Sequence, residues 1–416
     1  MILAELAAIG RHRKTGGYRR SAWSDADMEL REWFAGAAGA PGLELVEDGN
    51  GNQFAFWRAS AGGPDQSALL IGSHLDSVPD GGAYDGPLGV VSAFAAIDHL
   101  RRTGFEPARP VVVGNFTDEE GARFGIACVG SQLATGALNP DQVLGRTDAD
   151  GRTLAEVVRA RGRDPEAFGP SAVLDSIGTF VELHVEQGRS LVTSDSAVGV
   201  ASAIWPHGRW RLDFAGEANH AGATAMADRH DPMLAYAATV LAARELATRA
   251  GARATFGRLR VEPNGVNAIP SRVRSWLDAR AETEPALQAL VQEIRLRAED
   301  AAAADGTAVE LTQESMSPAV RFDARLRDRL ATLLDAPVLP TGAGHDAGVL
   351  SARMPAAMLF VRNPTGVSHS PAEFASDDDC AAGVDALAAV IRELAPAEDS
   401  LRSFDGLRTG QAQGTQ

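Results

Sequence analysis

The chain has little cysteine and no long apolar run. Only Cys128 and Cys380 occur in 416 residues. Two cysteines are too few for a disulfide framework, and neither has the spacing of a thiolate metal site, so a reducing compartment fits. No apolar run reaches the roughly 18 residues of a membrane helix, and the first residues, MILAELAAIGRHRK, lack the apolar core and cleavage site of a signal peptide. These absences favour a cytoplasmic protein without a membrane partner.

Positive charge is scarce relative to negative charge. The 39 Lys and Arg against 55 Asp and Glu leave a net charge of −16, with the acids spread along the chain. This balance argues against nucleic acid as a partner and is typical of a well-solvated surface. Hydrophobic residues make up 45% of the sequence. Because the chain is longer than a single core usually grows, two domains are expected.

Strand and helix patterns alternate in the first third of the chain. Apolar runs predict buried strands over 67–77, 111–116 and 177–183, and residues 89–104 have the period of an amphipathic helix. Each predicted strand ends in a polar cluster, which is where open α/β sheets bind their ligands. The predicted class is α/β, with a mixed, mostly parallel sheet flanked by helices.

A different pattern begins at residue 203. Two helical and several strand patterns over 203–316 resemble a βαββαβ sandwich inserted into the main domain. We therefore expect a catalytic domain formed by residues 1–202 and 317–398 and interrupted by an α+β domain. Residues 399–416 are polar and rich in glycine, so we expect a disordered tail.

Residues 72–90, GSHLDSVPDGGAYDGPLGV, are the most informative stretch of the chain. They place His74 and Asp85 on glycine-rich loops. An imidazole nitrogen and a carboxylate oxygen are good ligands for first-row metals, and the glycines let the backbone turn sharply enough for both side chains to converge. One His and one Asp do not complete a metal site, so further ligands are needed.

Further candidates stand at the ends of the other predicted strands and in one later loop. Glu119 and Glu120 follow the second strand, His184 follows the third, and His369 lies in the segment GVSHSPAE. Two metal ions that share a carboxylate as a bridge would need such a set. The expected ligands are His74 and His184 on one ion, Glu120 and His369 on the other, and Asp85 between the two.

Glu119 is the natural general base in this arrangement. Adjacent residues of an extended segment point to opposite sides, so Glu120 can bind metal while Glu119 reaches a water held between the ions. The proton taken from that water could then pass to a leaving nitrogen. The ligand set suits Zn²⁺ or Mn²⁺, and also Co²⁺ or Ni²⁺, and the sequence leaves the native metal open.

Seven segments, in chain order, resemble one branch of the dinuclear aminoacylase and peptidase family. That branch contains N-carbamoyl-L-amino acid hydrolases, β-ureidopropionases and allantoate amidohydrolases. The resemblance covers about residues 15–395 and implies a homodimeric, metal-dependent amidohydrolase that acts on a small ureido carboxylate. The segments are GSHLDSVPDGGAYDGPLGV, NFTDEEGARFG, ELHVEQG, NHAGATAMADRHDP, VEPNGVNAIPSRVRSWLDAR, GAGHDA and FVRNPTGVSHSPAE.

Carried over residue by residue, the resemblance implies the same metal ligands and the same base. It also implies that the inserted domain dimerises and supplies His220 across the dimer interface to polarise the scissile carbonyl. The two-domain layout and this cross-subunit His220 together predict that the inserted domain acts as a lid. Asn267 and Arg280 look like the pair that holds the substrate carboxylate, and a guanidinium can grip a carboxylate bidentately where a lysine cannot. Gln187 and His345 conform to the family beside the site, although support of the loops explains them equally well.

The resemblance implies hydrolysis of a carbamoyl C–N bond, with several substrates open. TGGYRR at 15–20 and FVRNPTG at 360–366 look most similar to allantoate amidohydrolases, which favours allantoate and the release of ammonia and carbon dioxide. An N-carbamoyl-L-amino acid hydrolase or β-ureidopropionase is the main alternative, and the former would need an apolar pocket for the side chain. A dipeptidase is a weaker alternative. A non-catalytic dimeric protein that binds ureido acids is remote, because every ligand position and the base are filled.

Overall fold

The computed structural model describes residues 3–58 and 67–396. The tail predicted over 399–416 lies outside the described residues. Within the described part the chain forms fifteen strands, which are β1 (Glu44–Glu47), β2 (Gln53–Trp57), β3 (Ala68–His74), β4 (Val111–Phe116), β5 (Ile177–Val185), β6 (Val198–Ile204), β7 (His207–Ala215), β8 (Asn219–His220), β9 (Arg253–Glu262), β10 (Ala268–Ile269), β11 (Arg272–Arg280), β12 (Ala308–Ser317), β13 (Val320–Arg321), β14 (Val338–Thr341) and β15 (Ala356–Val361).

Helices lie between these strands, and short 3₁₀ turns occur at Ala4–Leu6, Pro165–Ala167, Ala172–Ser176 and Met226–Asp228. In the described part of the chain, no helix is both long and apolar enough to cross a membrane. The α-helices are α1 (Asp25–Gly39), α2 (Pro87–Arg102), α3 (Val129–Thr135), α4 (Pro140–Val143), α5 (Leu154–Ala160), α6 (Ser190–Thr193), α7 (Pro232–Arg249), α8 (Glu284–Ala304), α9 (Ala324–Leu334), α10 (Asp346–Leu350) and α11 (Asp377–Leu394).

The chain divides into two compact units. The second unit consists of Ala203–Val320 and Pro340–Ala343, and the first unit contains the remaining described residues. The second unit thus extends past the predicted boundary at residue 316, because β12 runs on to Ser317, which pairs with His207 of β7.

The sheet of the first unit is mixed, with parallel strands at its centre. Its order is β1-β2-β4-β3-β5-β15-β6-β13, and β14 pairs with β6. Strand β3 runs parallel to both β4 and β5, and β15 runs parallel to β5. The pairs β1 with β2, β2 with β4 and β15 with β6 are antiparallel. The predicted α/β class, with a mixed, mostly parallel sheet flanked by helices, is confirmed.

The central strands owe their position to continuous apolar runs. Every residue of β3, β4 and β15 is buried, as is typical of parallel strands that are covered on both faces. Helix α2 packs on β3, β5 and α11, and its Leu88 and Leu100 share one buried cluster with Leu69 and Ile71 of β3. Burying each such side chain stabilises the fold by about 1.5–3 kcal/mol relative to exposure.

The second unit contains a four-stranded antiparallel sheet in the order β12-β7-β11-β9. Apart from the short pair β8 and β10, its elements follow the chain order β7-α7-β9-β11-α8-β12. Side chains of β11 alternate, and Val273, Leu277 and Ala279 are buried in one cluster with residues of α7 and α8. The two helices therefore cover one face of this sheet.

Replacing Gly89 by alanine is expected to destabilise the first unit. Gly89 lies in α2, and a Cβ there would overlap the carbonyl oxygen of Leu183 and the Cβ of Ser73. Overpacking of this kind typically costs about 1–3 kcal/mol. Gly36 of α1 is a matched control, because a Cβ there meets no atom within 4 Å and alanine should stabilise that helix by about 0.5–1 kcal/mol. Denaturant unfolding of both variants measures the difference, and equal stabilities would contradict the packing described for α2.

Candidate active site

The candidate residues of the first unit lie at one edge of its sheet. His74 is the last residue of β3 and His184 is the penultimate residue of β5, while Glu119 and His369 lie in the loops that follow β4 and β15. Parallel neighbours end at the same edge of a sheet, so these residues meet although they are far apart in the sequence.

Asp85 lies between two groups of possible ligand atoms. Its Oδ1 is 3.6 Å from Nε2 of His74 and 3.0 Å from Nε2 of His184. Its Oδ2 is 3.5 Å from Nε2 of His369, which is itself 3.4 Å from Oε2 of Glu120. Within each group the ligand atoms all lie within 4.8 Å of one another. One carboxylate therefore offers one oxygen to each of two adjacent groups.

The two buried imidazoles are oriented as metal ligands. Nδ1 of His74 lies 3.2 Å from the carbonyl oxygen of Asp76, and Nδ1 of His184 lies 2.8 Å from that of Val185. Each Nδ1 therefore carries a proton, which leaves Nε2 as the atom that can bind a metal once its own proton has been released. Both Nε2 atoms are buried and face Oδ1 of Asp85, the atom with which they would share a metal ion.

The spacing of the ligand atoms also fits a metal. Two atoms that each lie about 2.0–2.1 Å from one tetrahedral ion are separated by about 3.4 Å. The distances from Oδ1 of Asp85 to Nε2 of His74 and His184, 3.6 and 3.0 Å, bracket that value. The donors are imidazole and carboxylate, the ligand types that first-row divalent metals accept in proteins. The residues therefore fit divalent metal ions.

Buried carboxylates give this edge of the sheet an electrostatic preference for cations. Burial, and next the charge of Asp85, raise the pKa of Glu120 to about 8. Burial also raises the pKa of Glu119 well above its ordinary range, against the opposing effect of His74. Burial by itself would lower the pKa of His184, but Asp85 outweighs burial and raises it to about 9. Without metal these groups hold protons, so metal binding is coupled to proton release.

The main chain of Glu119 and Glu120 is fixed from two sides. Their N–H groups donate to the two carboxylate oxygens of Asp76, each over 3.1 Å. On the other side, the N–H groups of residues 128–130 donate, in reverse order, to the carbonyls of residues 117–119. The loop that carries the expected base is therefore paired along its length with the start of α3.

The adjacent carboxylates face different ligand groups. Oε2 of Glu119 lies 3.7 Å from Nε2 of His74, whereas Oε2 of Glu120 lies 3.4 Å from Nε2 of His369. This geometry allows the predicted division of roles, in which Glu120 binds metal and Glu119 acts as base.

Three residues that orient this centre were not predicted from the sequence. Asp76 holds the Glu119–Glu120 main chain, Ser368 donates its hydroxyl to Oδ2 of Asp85 over 2.9 Å, and Glu373 accepts the N–H of Asp85 over 2.9 Å. Asp76 follows His74 by two residues, and alternate residues of an extended segment share a side, so this spacing could have indicated Asp76. Nothing in the sequence connects Glu373 with Asp85, which are 288 positions apart.

Gln187 and His345 lie against the ligand groups. Nε2 of Gln187 donates to Oδ2 of Asp85 over 2.9 Å. The ring of His345 is buried with its centroid 4.5 Å from that of His184, and neither ring nitrogen has a hydrogen-bond partner among the described residues. Burial, and next the charge of His184, lower the pKa of His345 well below its ordinary value, so its imidazole is neutral. Contact of either residue with substrate stays a prediction.

His220, Asn267 and Arg280 lie in the second unit. His220 and Asn267 are exposed neighbours there, since β8 pairs with β10 and the N–H of Ala221 donates to the Asn267 carbonyl over 3.1 Å. Nδ1 of His220 accepts the N–H groups of Gly222 and Ala223, each over 3.0 Å. These two donors assign the ring proton to Nε2.

Arg280 is already engaged by one carboxylate. Its Nε and Nη2 donate to the two oxygens of Asp278, over 2.8 and 3.3 Å, and its Nη1 donates to the Gly342 carbonyl. Because a guanidinium has five N–H groups, these three bonds leave one N–H on Nη1 and one on Nη2 with no partner among the described residues. Arg280 thus forms an ion pair with Asp278, and its binding of a substrate carboxylate stays a prediction.

The two segments that favoured allantoate brace loops of the first unit. Thr15 donates its hydroxyl to Asp80 over 2.6 Å, and Arg19 binds both oxygens of the same carboxylate. In the later segment, Oδ1 of Asn363 accepts the N–H groups of residues 365 and 366. Both segments therefore support loops of the first unit, and the preference for allantoate that they indicated stays a prediction.

Comparison with known proteins agrees with the fold and the site. Residues 70–393 match the family described as Peptidase family M20/M25/M40. The N-carbamoyl-L-amino acid amidohydrolase of Geobacillus stearothermophilus is 37% identical over 409 residues, covering 95% of this chain and 98% of that protein. The allantoate amidohydrolase of Escherichia coli (strain K12) is 34% identical, with 91% and 93% covered. The crystal structure of an amidase of the hydantoinase/carbamoylase family from Burkholderia multivorans superposes with a TM-score of 0.84 at 30% identity, covering 95% of this chain and 96% of that chain.

Fold, ligand geometry and relatives together define an enzyme that hydrolyses carbon–nitrogen bonds with the help of divalent metal. The chain belongs to peptidase family M20/M25/M40, as the match over most of its length shows. The family resemblance predicted from the seven sequence segments is thereby confirmed.

Substitutions of the ligands are expected to separate the two groups. Replacing Asp85 by alanine should abolish binding of both ions, because each group of ligands loses the oxygen that Asp85 supplies. His369→Ala should remove only the ion expected at Glu120. His99 is exposed on α2 of the same unit, and His99→Ala should retain both ions. Metal content after dialysis, measured by plasma mass spectrometry, decides the matter. If the Asp85→Ala protein retained one ion per chain after dialysis, as the His369→Ala protein is expected to do, Asp85 would not be a bridging ligand.

Proposed function

We propose that this enzyme hydrolyses the carbamoyl C–N bond of a small ureido carboxylate. The observation that carries the proposal is the single carboxylate of Asp85, which offers one oxygen to each of two ligand groups within reach of Glu119. The names of the relatives support the carbamoyl group as the part that is cleaved.

Two divalent ions, Zn²⁺ or Mn²⁺ by preference and Co²⁺ or Ni²⁺ as further candidates, would be held by the five ligands predicted above. When bound, they would lower the pKa of a water and polarise the ureido carbonyl. Glu119 accepts the proton of the attacking water through Oε2 and returns it to the leaving nitrogen. The carboxyl group formed in this way is the acid of the second step. Simple carbamoyl substrates would then give ammonia, carbon dioxide and an amino acid.

The second unit offers groups for the rest of the substrate. Because its ring proton is on Nε2, His220 can donate a hydrogen bond to a carbonyl oxygen, and we assign it the role of stabilising the developing oxyanion from the partner subunit. The two remaining N–H groups of Arg280 suit a carboxylate, with Asn267 as a second donor. Gln187 and His345 complete the proposed substrate contacts.

Two substrates have support. Allantoate is favoured by the relative that bears its name, at 34% identity, and by the two sequence segments, although the structure assigns those segments to loop support. N-carbamoyl-L-amino acids are favoured by the relative at 37% identity. Allantoate has a second ureido arm that needs hydrogen-bond partners, whereas an amino-acid side chain needs an apolar pocket, so the two substrates make different demands on one site.

Ammonia release from a panel of substrates tests the proposal. The metal-loaded enzyme is expected to release ammonia from allantoate or from N-carbamoyl-L-amino acids, with N-carbamoyl-β-alanine as a third ureido acid, and to leave a dipeptide intact. Because hydrolysis of a dipeptide gives two amino acids and no ammonia, that reaction is followed by the appearance of free amino acids. Glu119→Gln should lower kcat by about 10²–10⁴-fold, because a glutamine cannot accept the proton, while both ions stay bound. Turnover near the normal rate in that variant would show that Glu119 is not the base. Cleavage of the dipeptide alone would contradict the carbamoyl assignment.

We also propose that the second unit forms a homodimer. Leu234 and Leu241 lie seven residues apart on α7 and are 45% and 60% exposed. They therefore share one face of the helix, and exposed apolar groups of this kind mark association surfaces. Strand β9 lies at the edge of the sheet beside α7.

Light scattering in solution tests this surface. Leu241→Glu is expected to shift the mass from dimer to monomer, because a charge cannot be buried without a partner. Leu333 of α9 in the first unit is 39% exposed and is also helical, so Leu333→Glu should leave the mass unchanged. A monomeric natural chain, or a dimer that survives Leu241→Glu, would count against the proposed interface.

A further inference from the structure

Cys128 is a buried cysteine that neither ligand group uses. Its Sγ lies 3.5 Å from Oε1 of Glu119, a distance over which a thiol can donate a hydrogen bond. The other oxygen of that carboxylate, Oε2, faces Nε2 of His74. The two oxygens of Glu119 therefore have different surroundings, with the thiol on one side and the ligand groups on the other.

The position of the sulfur is fixed by its own main chain. Cys128 has φ of 53°, a left-handed conformation that residues other than glycine seldom adopt. Its N–H donates to the carbonyl of Glu119 over 2.6 Å, and its carbonyl accepts the N–H of Gln132 over 2.9 Å. A residue held this way in an unfavourable conformation is determined by its surroundings, as happens at functional sites. The main-chain segments that carry the thiol and the carboxylate are thus joined directly by a hydrogen bond.

The sulfur stays in its protonated, donating form. Cys128 is 6% exposed, and burial, followed by the neighbouring charge of Glu119, raises its pKa well above the ordinary value. It is therefore a thiol rather than a reactive thiolate. A carboxylate has only acceptor sites when ionised, so the S–H group is the complementary partner for Oε1.

We propose that Cys128 is a positioning residue for the general base, whose S–H group holds Oε1 of Glu119 so that Oε2 is presented to the attacking water. This inference rests on the proposed function, in which Glu119 moves the proton. It assigns to Cys128 a part in the rate of the reaction and none in binding metal or substrate.

Steady-state kinetics of matched variants test the expected effect of Cys128 on the reaction rate. Cys128→Ala should lower kcat by about 3- to 10-fold, the size expected for one weak hydrogen bond, with KM within about twofold and both ions retained. Cys128→Ser should recover part of the lost rate, because its hydroxyl is again a donor. Cys380 is the other buried cysteine of the chain, and Cys380→Ala should leave kcat unchanged. An unchanged kcat in Cys128→Ala, or a loss accompanied by loss of metal or by a large rise in KM, would overturn the proposal.

Infrared spectroscopy of the S–H stretch tests the contact without any turnover. In the Cys380→Ala background only Cys128 contributes to the band. We expect the band at low frequency when Glu119 is present, and at higher frequency in Glu119→Ala, where the acceptor is missing. If the S–H stretching frequency is the same with and without the Glu119 side chain, the proposal is overturned. This result would be decisive even if Cys128→Ala fails to fold. A band that responds, in an enzyme that cleaves none of the ureido acids, would instead keep the contact and reject the proposed function.

Discussion

The sharing of the Asp85 carboxylate between two ligand groups is the interaction on which the first unit depends. The side chain is buried, and an isolated buried charge is strongly unfavourable, so it must be compensated by close partners. Two imidazoles at strand ends, His74 and His184, and one on the loop after β15, His369, approach its two oxygens. The donors of Ser368 and Gln187 converge on Oδ2. Compensation of one charge thereby brings together the ends of β3 and β5 and the loop after β15.

Residues next to the ligands fix the main chain that carries the acidic side chains. Asp76 fixes the main chain of the Glu119–Glu120 pair by accepting both N–H groups, and the first turn of α3 satisfies the carbonyls of that loop. Gly86 has φ of 83°, and a Cβ there would overlap the imidazole of His74. The glycine is therefore required both by the turn and by the close approach of a ligand. In this way the backbone, rather than flexible side chains, sets the positions of the acids.

Sequence patterns predicted the parts of this architecture that depend on local order. The apolar runs of β3, β4 and β5 indicated buried strands, and the polar residues after them, His74 and Glu119 among them, indicated the site because the ends of parallel strands meet. Sequence patterns could not predict hydrogen bonds between segments that are far apart in the chain. Glu373 reaches Asp85 only through the fold, and the role of residues 15–20 as a brace on Asp80 depends on a pairing between distant segments. Similarity of such a segment to relatives can therefore reflect the structure of a loop as well as the choice of substrate.

The hydrogen bond from the Asp85 N–H to Glu373 spans 288 positions, and this has a consequence for biosynthesis. During synthesis the strand that carries His74 and the loop that carries Asp85 leave the ribosome long before His369 and Glu373. Until His369 and Glu373 have been synthesised, the Asp85 carboxylate has neither its orienting acceptor nor the imidazole that approaches Oδ2. The complete centre is thus assembled only after residues 369–373 have been synthesised and have folded back onto the loop of Asp85.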